Sequence, residues 1–288
     1  MNDVAVSNVA REAWRVPYSQ PLDLDQVLDQ ILIGDCLEVL PALPSDSVDM
    51  VFLDPPYYLQ LPTNKRLVRW GAVSEVESPE REWDCFSSFA EYDALIASVL
   101  EECRRVMKSS ATLWVIGTYH NIYRIGAVMQ DLGFWVLNNV TWFKSNPMPN
   151  WLNVRMTNAT ETLIWAVRER SARGYVYNAA AAKAYTREDF GGKIAANVWR
   201  IPLCIGHERL KGRDGKRLHP TQKPERLLER VLRISTRRGQ VVLDPMAGTG
   251  TTGVVARRLG RRFVMVERDE DYAEAASQRL AGTVEEGE

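Results

Sequence analysis

Short apolar runs alternate with segments of helical periodicity along most of the chain. The β-branched and apolar runs predict strands over residues 31–33, 48–53, 112–116, 134–142, 161–167, 241–243 and 263–266. Apolar positions three and four residues apart predict helices over residues 89–107, 122–132, 224–235, 251–259 and 271–280. This alternation predicts an α/β fold, a Rossmann-like, doubly wound and mostly parallel sheet with helices on both faces.

Three segments depart from this rhythm. Residues 1–20 have no clear periodicity and are predicted to form an N-terminal arm. Residues 62–83 are polar and charged, and residues 145–218 contain Asn-Pro and Gly-Gly breaks with little regular pattern. Long irregular segments in α/β enzymes are often functional loops. We therefore expect both internal segments to be insertions that contact a substrate.

Composition sets limits on the class of protein. The chain has 288 residues, of which 45% are apolar and 25% charged, as in an ordinary soluble globular protein. Its apolar runs are far shorter than the ~20 residues of a membrane span, and its start does not resemble a secretion signal. The four cysteines are too far apart for a C-x-x-C metal or redox pair, so we expect a reducing cytoplasm and no bound metal.

Charge is unevenly distributed although the net charge is −1. Residues 19–54 contain eight acids and no Lys or Arg, whereas residues 207–238 contain eleven Lys or Arg and four acids. A basic segment can hold a phosphate backbone, but an ordinary solvated surface gives the same pattern.

A glycine-rich sequence, VVLDPMAGTGTTG, occupies residues 241–253. Its G-x-G-x-x-G lies between a predicted strand and a predicted helix, as in nucleotide-binding folds, and it lacks the G-K-[ST] of a P-loop. Glu267 ends the next predicted strand, where an acid can bind ribose hydroxyls. The sequence therefore predicts a cofactor that carries a nucleoside.

Asp244 decides between cofactors. It ends the strand before the glycines, where it would repel a pyrophosphate but attract an ammonium or a sulfonium. This favours S-adenosylmethionine over a nicotinamide dinucleotide, and a dehydrogenase remains the alternative. Only one strand is predicted after this loop, so the cofactor half of the sheet comes last in the chain.

The sequence FLDPPYY at residues 52–58 ends another predicted strand. Asp54 provides a carboxylate, and the two prolines that follow have no N–H to donate. Tyr57 and Tyr58 provide flat rings. This predicts a pocket that accepts hydrogen bonds and stacks on a planar group, although Tyr58 has an equal claim to core packing.

Three motifs, DPPY at 54–57, HPTQKP at 219–224 and DPMAGTGTT at 244–252, resemble the permuted β-group of DNA amino-methyltransferases. Residues 83–89, 114–122 and 144–150 are also similar, and the resemblance covers residues 30–280. The chain looks most like the cell-cycle-regulated adenine methyltransferases, without their C-terminal extension. It departs from the group at Thr160-Glu161, which is often His-Glu, and at Met246-Ala247.

The resemblance implies the class I methyltransferase fold with permuted motif order, and methyl transfer from S-adenosylmethionine to the N6 amine of a flipped adenine in duplex DNA. Asp54 and the Pro55 carbonyl would accept the amine hydrogens, with Pro56 and Tyr57 completing the catalytic motif and Tyr57 stacking on the base. Cytosine N4 is the nearest alternative, and transfer to RNA or protein is a further one. Cytosine C5 transfer is rejected because no Pro-Cys motif follows a strand.

The resemblance also implies cofactor-binding residues. Asp35 would accept from the cofactor's adenine amine, and Thr221 and Lys223 would hold its carboxylate. As alternatives, Asp35 is a turn residue at a strand end, and Thr221 caps a helix. The full cofactor set is Asp35, Cys36, Asp54, His219, Thr221, Gln222, Lys223, Asp244, Pro245, Met246, Gly248, Gly250, Thr251, Thr252, Glu267 and Arg268.

We predict a methyltransferase domain of residues 21–144 and 219–288, a target-recognition insertion of residues 145–218, and a DNA-contacting loop of residues 62–83. The expected partners are double-stranded DNA, a second copy of the chain and a cognate restriction endonuclease. The residues predicted to contact DNA are Lys65, Arg66, Arg69, Trp142, Lys144, Asn146, Asn150 and Arg155.

Overall fold

A computed structural model describes residues 20–59, 65–69, 72–76, 82–150, 154–212 and 215–286. Within these residues, an eight-stranded sheet forms the centre of the molecule and a separate hairpin pairs two more strands. In chain order the strands are β1 (Gln30–Ile33), β2 (Val48–Leu53), β3 (Lys65–Arg69), β4 (Ala72–Val76), β5 (Met107–Gly117), β6 (Trp135–Lys144), β7 (Thr160–Val167), β8 (Val198–Ile201), β9 (Val241–Asp244) and β10 (Arg262–Glu267).

The sheet has the order β1-β10-β9-β2-β5-β7-β6-β8. Every pairing is parallel except those of β7, which runs antiparallel to both β5 and β6. The mostly parallel sheet predicted from the alternation is therefore confirmed. The alternation alone does not give the direction of a strand, so the reversal of β7 was not predicted.

Eight α-helices accompany the strands in the described residues. They are α1 (Leu24–Val27), α2 (Cys36–Val39), α3 (Phe89–Val106), α4 (Ile122–Asp131), α5 (Ala179–Phe190), α6 (Glu225–Ser235), α7 (Thr251–Arg258) and α8 (Glu270–Ala281). The five helices predicted from apolar spacing correspond to α3, α4, α6, α7 and α8. None of the described helices is long and apolar enough to cross a membrane.

Strand β2 shows why the helices cover both faces of the sheet. Val51 and Leu53 point into a core that also contains residues of α3 and α4. Met50 and Phe52 point into a second core with residues of α6, α7 and α8. Successive side chains of a strand alternate between faces, so a strand that is apolar throughout must be covered on both sides.

Two predictions about irregular segments are corrected by the structure. Residues 65–76 contain the antiparallel hairpin of β3 and β4, so the segment 62–83 is not structureless. Residues 145–218 do not form a separate insertion, because β7 lies inside the main sheet and β8 pairs with β6. Strands β3, β4 and β8 are short and have polar neighbours, so they give little periodicity and were not predicted from the pattern.

The carboxyl ends of β2 and β9 lie side by side, because these strands pair in parallel through Met50 and Val51. Asp54 directly follows β2, and Asp244 ends β9. The acceptor motif and the glycine loop, far apart in the chain, therefore meet at one edge of the sheet, where doubly wound folds bind their ligands.

Candidate active site

A cavity of about 630 Å³ opens at this edge of the sheet. It is lined by nearly all the residues predicted from the sequence to bind cofactor or acceptor: Asp35, Cys36, Asp54, Pro55, Pro56, Tyr57, His219, Thr221, Gln222, Lys223, Asp244, Pro245, Met246, Gly248, Thr251, Thr252, Glu267 and Arg268. Gly250 is the one predicted cofactor residue outside this lining. The structure thus brings both motifs to a single cavity.

Asp244 lines the cavity and holds the glycine loop through two hydrogen bonds. Its carboxylate accepts hydrogen bonds from the Met246 N–H at 3.1 Å and from the Thr252 hydroxyl at 2.5 Å. Burial raises the pKa of the Asp244 carboxyl to about 7, and its hydrogen bonds offset this only in part. Near neutral pH this carboxyl therefore exchanges readily between its charged and neutral forms.

Two glycines allow the loop its shape. Gly248 and Gly250 both have positive φ, at 53° and 74°. A Cβ on Gly250 would lie 2.6 Å from the Ala276 Cβ in α8, so a side chain cannot fit without moving that helix. The Gly248 N–H donates to Glu267 at 2.6 Å, which joins the loop to the end of β10.

Asp35 lines the cavity and accepts a hydrogen bond from the Leu37 N–H at 2.8 Å, so it is the N-cap of α2. This supports the turn role given as its alternative, and the carboxylate still lines the cavity. Burial raises the pKa of the neighbouring Cys36 thiol to about 12, so this thiol is not a nucleophile at neutral pH.

The HPTQKP segment supplies one wall of the cavity. The His219 ring stacks on Trp83 at 6.1 Å between centroids and meets the edge of Tyr272 at 4.7 Å. Both ends of the Gln222 amide bond to backbone groups of Glu208 and Leu210, so this side chain also fixes the preceding loop.

The suggestion that Thr221 caps the following helix is wrong. The N-cap of α6 is Pro224, which makes no side-chain cap, and the Glu225 N–H donates instead to the Glu208 carboxylate at 2.6 Å. Glu208 was missed because it lies outside the helical pattern.

Lys223 pairs with the acceptor aspartate. Its Nζ lies 2.6 Å from Asp54 Oδ2 and also donates to the Thr221 carbonyl at 3.1 Å. The sequence predicted a cofactor carboxylate as the partner of Lys223. The pairing with Asp54 was not predicted, because only the fold brings these two distant residues together.

The other oxygen of Asp54, Oδ1, is buried and has no hydrogen-bond partner among the described residues. Buried carboxylate oxygens are normally bonded, so an unpaired one in a cavity marks a place for a donor from a ligand. Burial raises the pKa of the Asp54 carboxyl, and the Lys223 ammonium opposes that shift.

Two side chains hold the turn that carries Asp54. The Pro56 carbonyl accepts from the Tyr92 hydroxyl at 2.9 Å and from the Asn121 amide at 3.3 Å. No described residue donates to the Pro55 carbonyl, the second acceptor predicted for the site. Neither Tyr92 nor Asn121 was predicted, since a helix position and a loop amide look ordinary in sequence.

Tyr57 lines the cavity and is buried, with 6% of its surface exposed. Its hydroxyl donates to Glu161 Oε2 at 3.2 Å, and its ring centroid lies 5.0 Å from Lys223 Nζ. Burial raises the pKa of this hydroxyl well above its usual value, as do the nearby carboxylates of Asp54 and Glu161. Tyr57 is therefore a neutral hydrogen-bond donor.

Tyr58 packs in the protein core. It has a positive φ of 48°, stacks on Tyr92 and meets the edges of Phe86 and Phe89. Its N–H donates to Asp84 at 2.6 Å. The structure thus supports core packing as the role of Tyr58. The hydrogen bond to Asp84 stabilises its backbone in the positive-φ conformation.

Trp142 and Lys144, which were predicted to contact DNA, are both buried within the protein. The Trp142 ring is 1% exposed, and its N–H donates to the Ile201 carbonyl at 2.8 Å, so it belongs to the core. Lys144 is buried against Glu161 at 2.8 Å. The sequence of a strand end does not show whether a side chain points to the solvent or into the protein. Here the side chains of Trp142 and Lys144 both point into the protein.

The remaining predicted DNA contacts fall into three groups. Asn146 and Asn150 bind backbone groups of Leu203 and Arg155, so they shape loops. Arg155 lies in the exposed segment between β6 and β7, and its guanidinium donates a hydrogen bond to the Tyr119 hydroxyl. The side chains of Lys65, Arg66 and Arg69 lie outside the part of the chain that the structure describes.

The basic segment 207–238 is partly neutralised within the protein. Four of its arginines pair with acids of other segments or of its own helix: Arg226 with Glu188, Arg230 with Asp189, Arg233 with Glu229 and Arg238 with Glu285. Its excess of positive charge is therefore a weaker indication of a phosphate-binding surface than the sequence suggested.

The fold and the cavity define a nucleoside-cofactor enzyme with a buried carboxylate beside the cofactor loop. The profile of the N6_N4_Mtase family, described as DNA methylase, matches residues 48–278. The chain belongs to this family of DNA methyltransferases, which use S-adenosylmethionine as methyl donor.

Two curated relatives agree with this family. The chain is 43% identical over 258 residues to the Type II methyltransferase M.HinfI of Haemophilus influenzae, covering 90% of this chain and 70% of the relative. It is 38% identical over 247 residues to the Type II methyltransferase M2.DpnII of Streptococcus pneumoniae, covering 86% and 87%. The dehydrogenase alternative is thereby excluded.

Solved structures share the fold. The complex of M1.HpyAVI with S-adenosylmethionine matches with a TM-score of 0.60 and 24% identity, covering 87% of this chain and 98% of that one. The PvuII DNA methyltransferase, which is cytosine-N4-specific, matches with a TM-score of 0.65 and 20% identity, covering 87% and 85%. At these identities the likeness concerns the fold alone.

Proposed function

We propose that this DNA methyltransferase methylates the N6 amine of an adenine flipped out of duplex DNA at a specific sequence. The main support for the proposal is the hydrogen bonding of the Asp54 carboxylate. Its Oδ2 accepts a hydrogen bond from Lys223, while the buried Oδ1 has no partner among the described residues. An exocyclic amine has a hydrogen to donate to that oxygen. A base inside a duplex cannot reach the cavity, so it must leave the stack.

The chain's own residues would prepare the amine. Asp54 Oδ1 and the Pro55 carbonyl accept the two amine hydrogens, which draws the nitrogen lone pair out of conjugation with the ring. Tyr57 stacks on the base, an interaction of about 1–3 kcal/mol in other systems. S-adenosylmethionine supplies the electrophilic methyl group when it is bound. Fixed acceptors and a fixed base provide rate through position and preorganised charge.

The cofactor would occupy the part of the cavity between α2 and the glycine loop. Asp244 offers negative charge to the ammonium and sulfonium, and Glu267 offers acceptors to the ribose. Asp35 lies where it can accept from the adenine amine. Because Lys223 is paired with Asp54, we assign the cofactor carboxylate to the Thr221 region alone.

Target recognition is assigned to the segments that leave the same edge of the sheet. They are the β3–β4 hairpin, the connection from β6 to β7 with Arg155, and residues 202–218 after β8. Arg66 and its neighbours on β3 are proposed to contact phosphates.

Adenine is preferred over cytosine because the acceptor motif begins with Asp54, as in the adenine enzymes that the chain resembles. Membership of their cell-cycle-regulated subtype is a proposal on the same basis. The cytosine-N4 alternative uses the same chemistry, and identification of the product separates the two.

The same proposal includes partners and location. Both curated relatives are named Type II methyltransferases, which supports a cognate restriction endonuclease for this chain too. A homodimer is proposed from the resemblance. A cytoplasmic location is supported by the four cysteines, none of which forms a disulfide.

The test is to incubate the protein with labelled S-adenosylmethionine and duplex DNA, and to sequence the product by a method that detects modified bases. The proposal expects label in duplex DNA at one short sequence. Label in RNA or protein with none in DNA would overturn it.

A further inference from the structure

Five side chains around the acceptor turn form one buried group, which we call the paired-charge cluster: Asp54, Tyr57, Lys144, Glu161 and Lys223. Lys223 pairs with Asp54 at 2.6 Å, and Lys144 pairs with Glu161 at 2.8 Å. The Tyr57 hydroxyl donates to the second oxygen of Glu161 at 3.2 Å. The cluster thus contains two opposite-charge pairs, joined through one tyrosine.

We propose that Glu161, held by Lys144, is a positioning residue that fixes the Tyr57 ring for stacking on the target base. The proposal rests on the stacking role of Tyr57 in the proposed function. Glu161 is the second residue of β7 and Lys144 is the last residue of β6, so the central sheet supplies both the carboxylate and the ammonium.

The geometry limits the ring in two directions. The hydroxyl is tied at the edge of the ring by Glu161, and the Lys223 ammonium lies 5.0 Å from the ring centroid. A tyrosine ring rotates about two side-chain bonds. The hydrogen bond of the hydroxyl to Glu161 and the Lys223 ammonium over the ring together restrain both rotations. Stacking gains most when the ring does not have to be ordered on binding.

Glu161 and Lys144 act from behind the site. Neither lines the cavity, whereas Asp54, Tyr57 and Lys223 all do. Glu161 therefore acts through Tyr57 and does not touch the reacting atoms. Stability alone does not explain the pair, because buried ion pairs can often be replaced by apolar residues at little cost.

A second buried pair provides the comparison. Arg230 and Asp189 form an ion pair with side chains 0% and 3% exposed, which joins α6 to α5. Neither residue lines the catalytic cavity. This pair has the burial of the Lys144–Glu161 pair without its link to Tyr57.

The test is a double-mutant cycle on the rate of methyl transfer. The pair variant, Lys144→Met with Glu161→Leu, removes both charges together so that no buried charge is left unpaired. Tyr57→Phe removes the hydroxyl and keeps the ring. The third protein carries all three substitutions, and kcat is measured at saturating DNA and S-adenosylmethionine.

We expect the pair variant and Tyr57→Phe each to lower kcat about tenfold, and the triple variant also about tenfold, because all three break one linkage. The dissociation constant for S-adenosylmethionine, measured by calorimetry, should stay unchanged. A loss of about a hundredfold in the triple variant would show independent effects and overturn the proposal. A pair variant with wild-type kcat would also overturn it.

The matched control is Asp189→Leu with Arg230→Met. It should change the melting temperature while kcat stays within about twofold of wild type. An equal fall of kcat in this control would mean that the loss is structural and would overturn the proposal. The methylated base is identified in the wild type first, so a cytosine product would refute the proposed function and leave the cycle measurable.

Discussion

At the scale of single residues, the site depends on carboxylates that burial pushes toward neutrality. Asp54 needs its charge to accept amine hydrogens, and Lys223 opposes the rise in its pKa. Asp244 has no cation beside it in the described residues, and burial raises its pKa to about 7. The two aspartates at neighbouring strand ends therefore differ in how firmly they keep their charge.

Asp54→Ala should abolish methyl transfer, with a loss of about a thousandfold or more, because the amine loses its charged acceptor. Asp54→Asn keeps one acceptor oxygen without the charge and should retain more activity than the alanine variant. Both are measured by label incorporation, with S-adenosylmethionine binding by calorimetry as the control. Near-normal turnover of Asp54→Ala would refute the assignment of the acceptor.

Affinity for S-adenosylmethionine should fall as the pH is lowered through about 7. Below its pKa the Asp244 carboxyl takes up a proton and no longer attracts the ammonium and sulfonium, so the dissociation constant should rise by at most about tenfold per pH unit. Calorimetry from about pH 8.5 to about pH 6 measures this. Asp244→Asn should bind weakly with little pH dependence, and wild-type affinity that is constant with pH would contradict the account.

At the scale of elements, the glycine loop depends on how closely α8 approaches it. Gly250 begins α7 as its N-cap, with a positive φ of 74°, and leaves no space for a methyl group beside Ala276. The closely spaced glycines of a nucleotide-binding loop are thus required for two physical reasons, the positive-φ backbone conformation and the close packing of a neighbouring helix.

Gly250→Ala should lower the free energy of unfolding by about 2–4 kcal/mol, from an unfavourable φ and a contact with α8. Gly239→Ala is the matched control, because Gly239 has a similar φ of 78° and no atom within 4 Å of the place that a Cβ would take. It should cost only about 1 kcal/mol. Equal losses in denaturant unfolding of the two variants would show that contact with α8 is unimportant.

Much of the element pattern was predictable, since the strands and helices with strong apolar periodicity occur where it places them. Helix α5 and strand β8 were missed because α5 is rich in alanine and β8 alternates exposed and buried residues instead of forming an apolar run. The role of Glu161 was missed for a different reason. Its strand β7 runs antiparallel, which brings the start of that strand to the catalytic edge, and direction is not legible in a single strand.

At the scale of the whole molecule, the sheet order makes one active site from two ends of the chain. Strand β2 pairs with β9, so the acceptor motif of the first quarter lies beside the cofactor loop of the last quarter. The motifs and their residue types were readable from the sequence. The pairing of Lys223 with Asp54 was not, because it depends on how the fold aligns two distant segments.

Methylation of the amine of a flipped adenine can be tested on the reaction product itself. The most direct measurement is to let the protein modify unmethylated duplex DNA, digest the DNA to nucleosides and identify the methylated nucleoside by mass spectrometry. We expect N6-methyl-2′-deoxyadenosine to be present with wild-type protein and absent with Asp54→Ala. N4-methylcytosine as the product, or no methylated nucleoside at all, would contradict it.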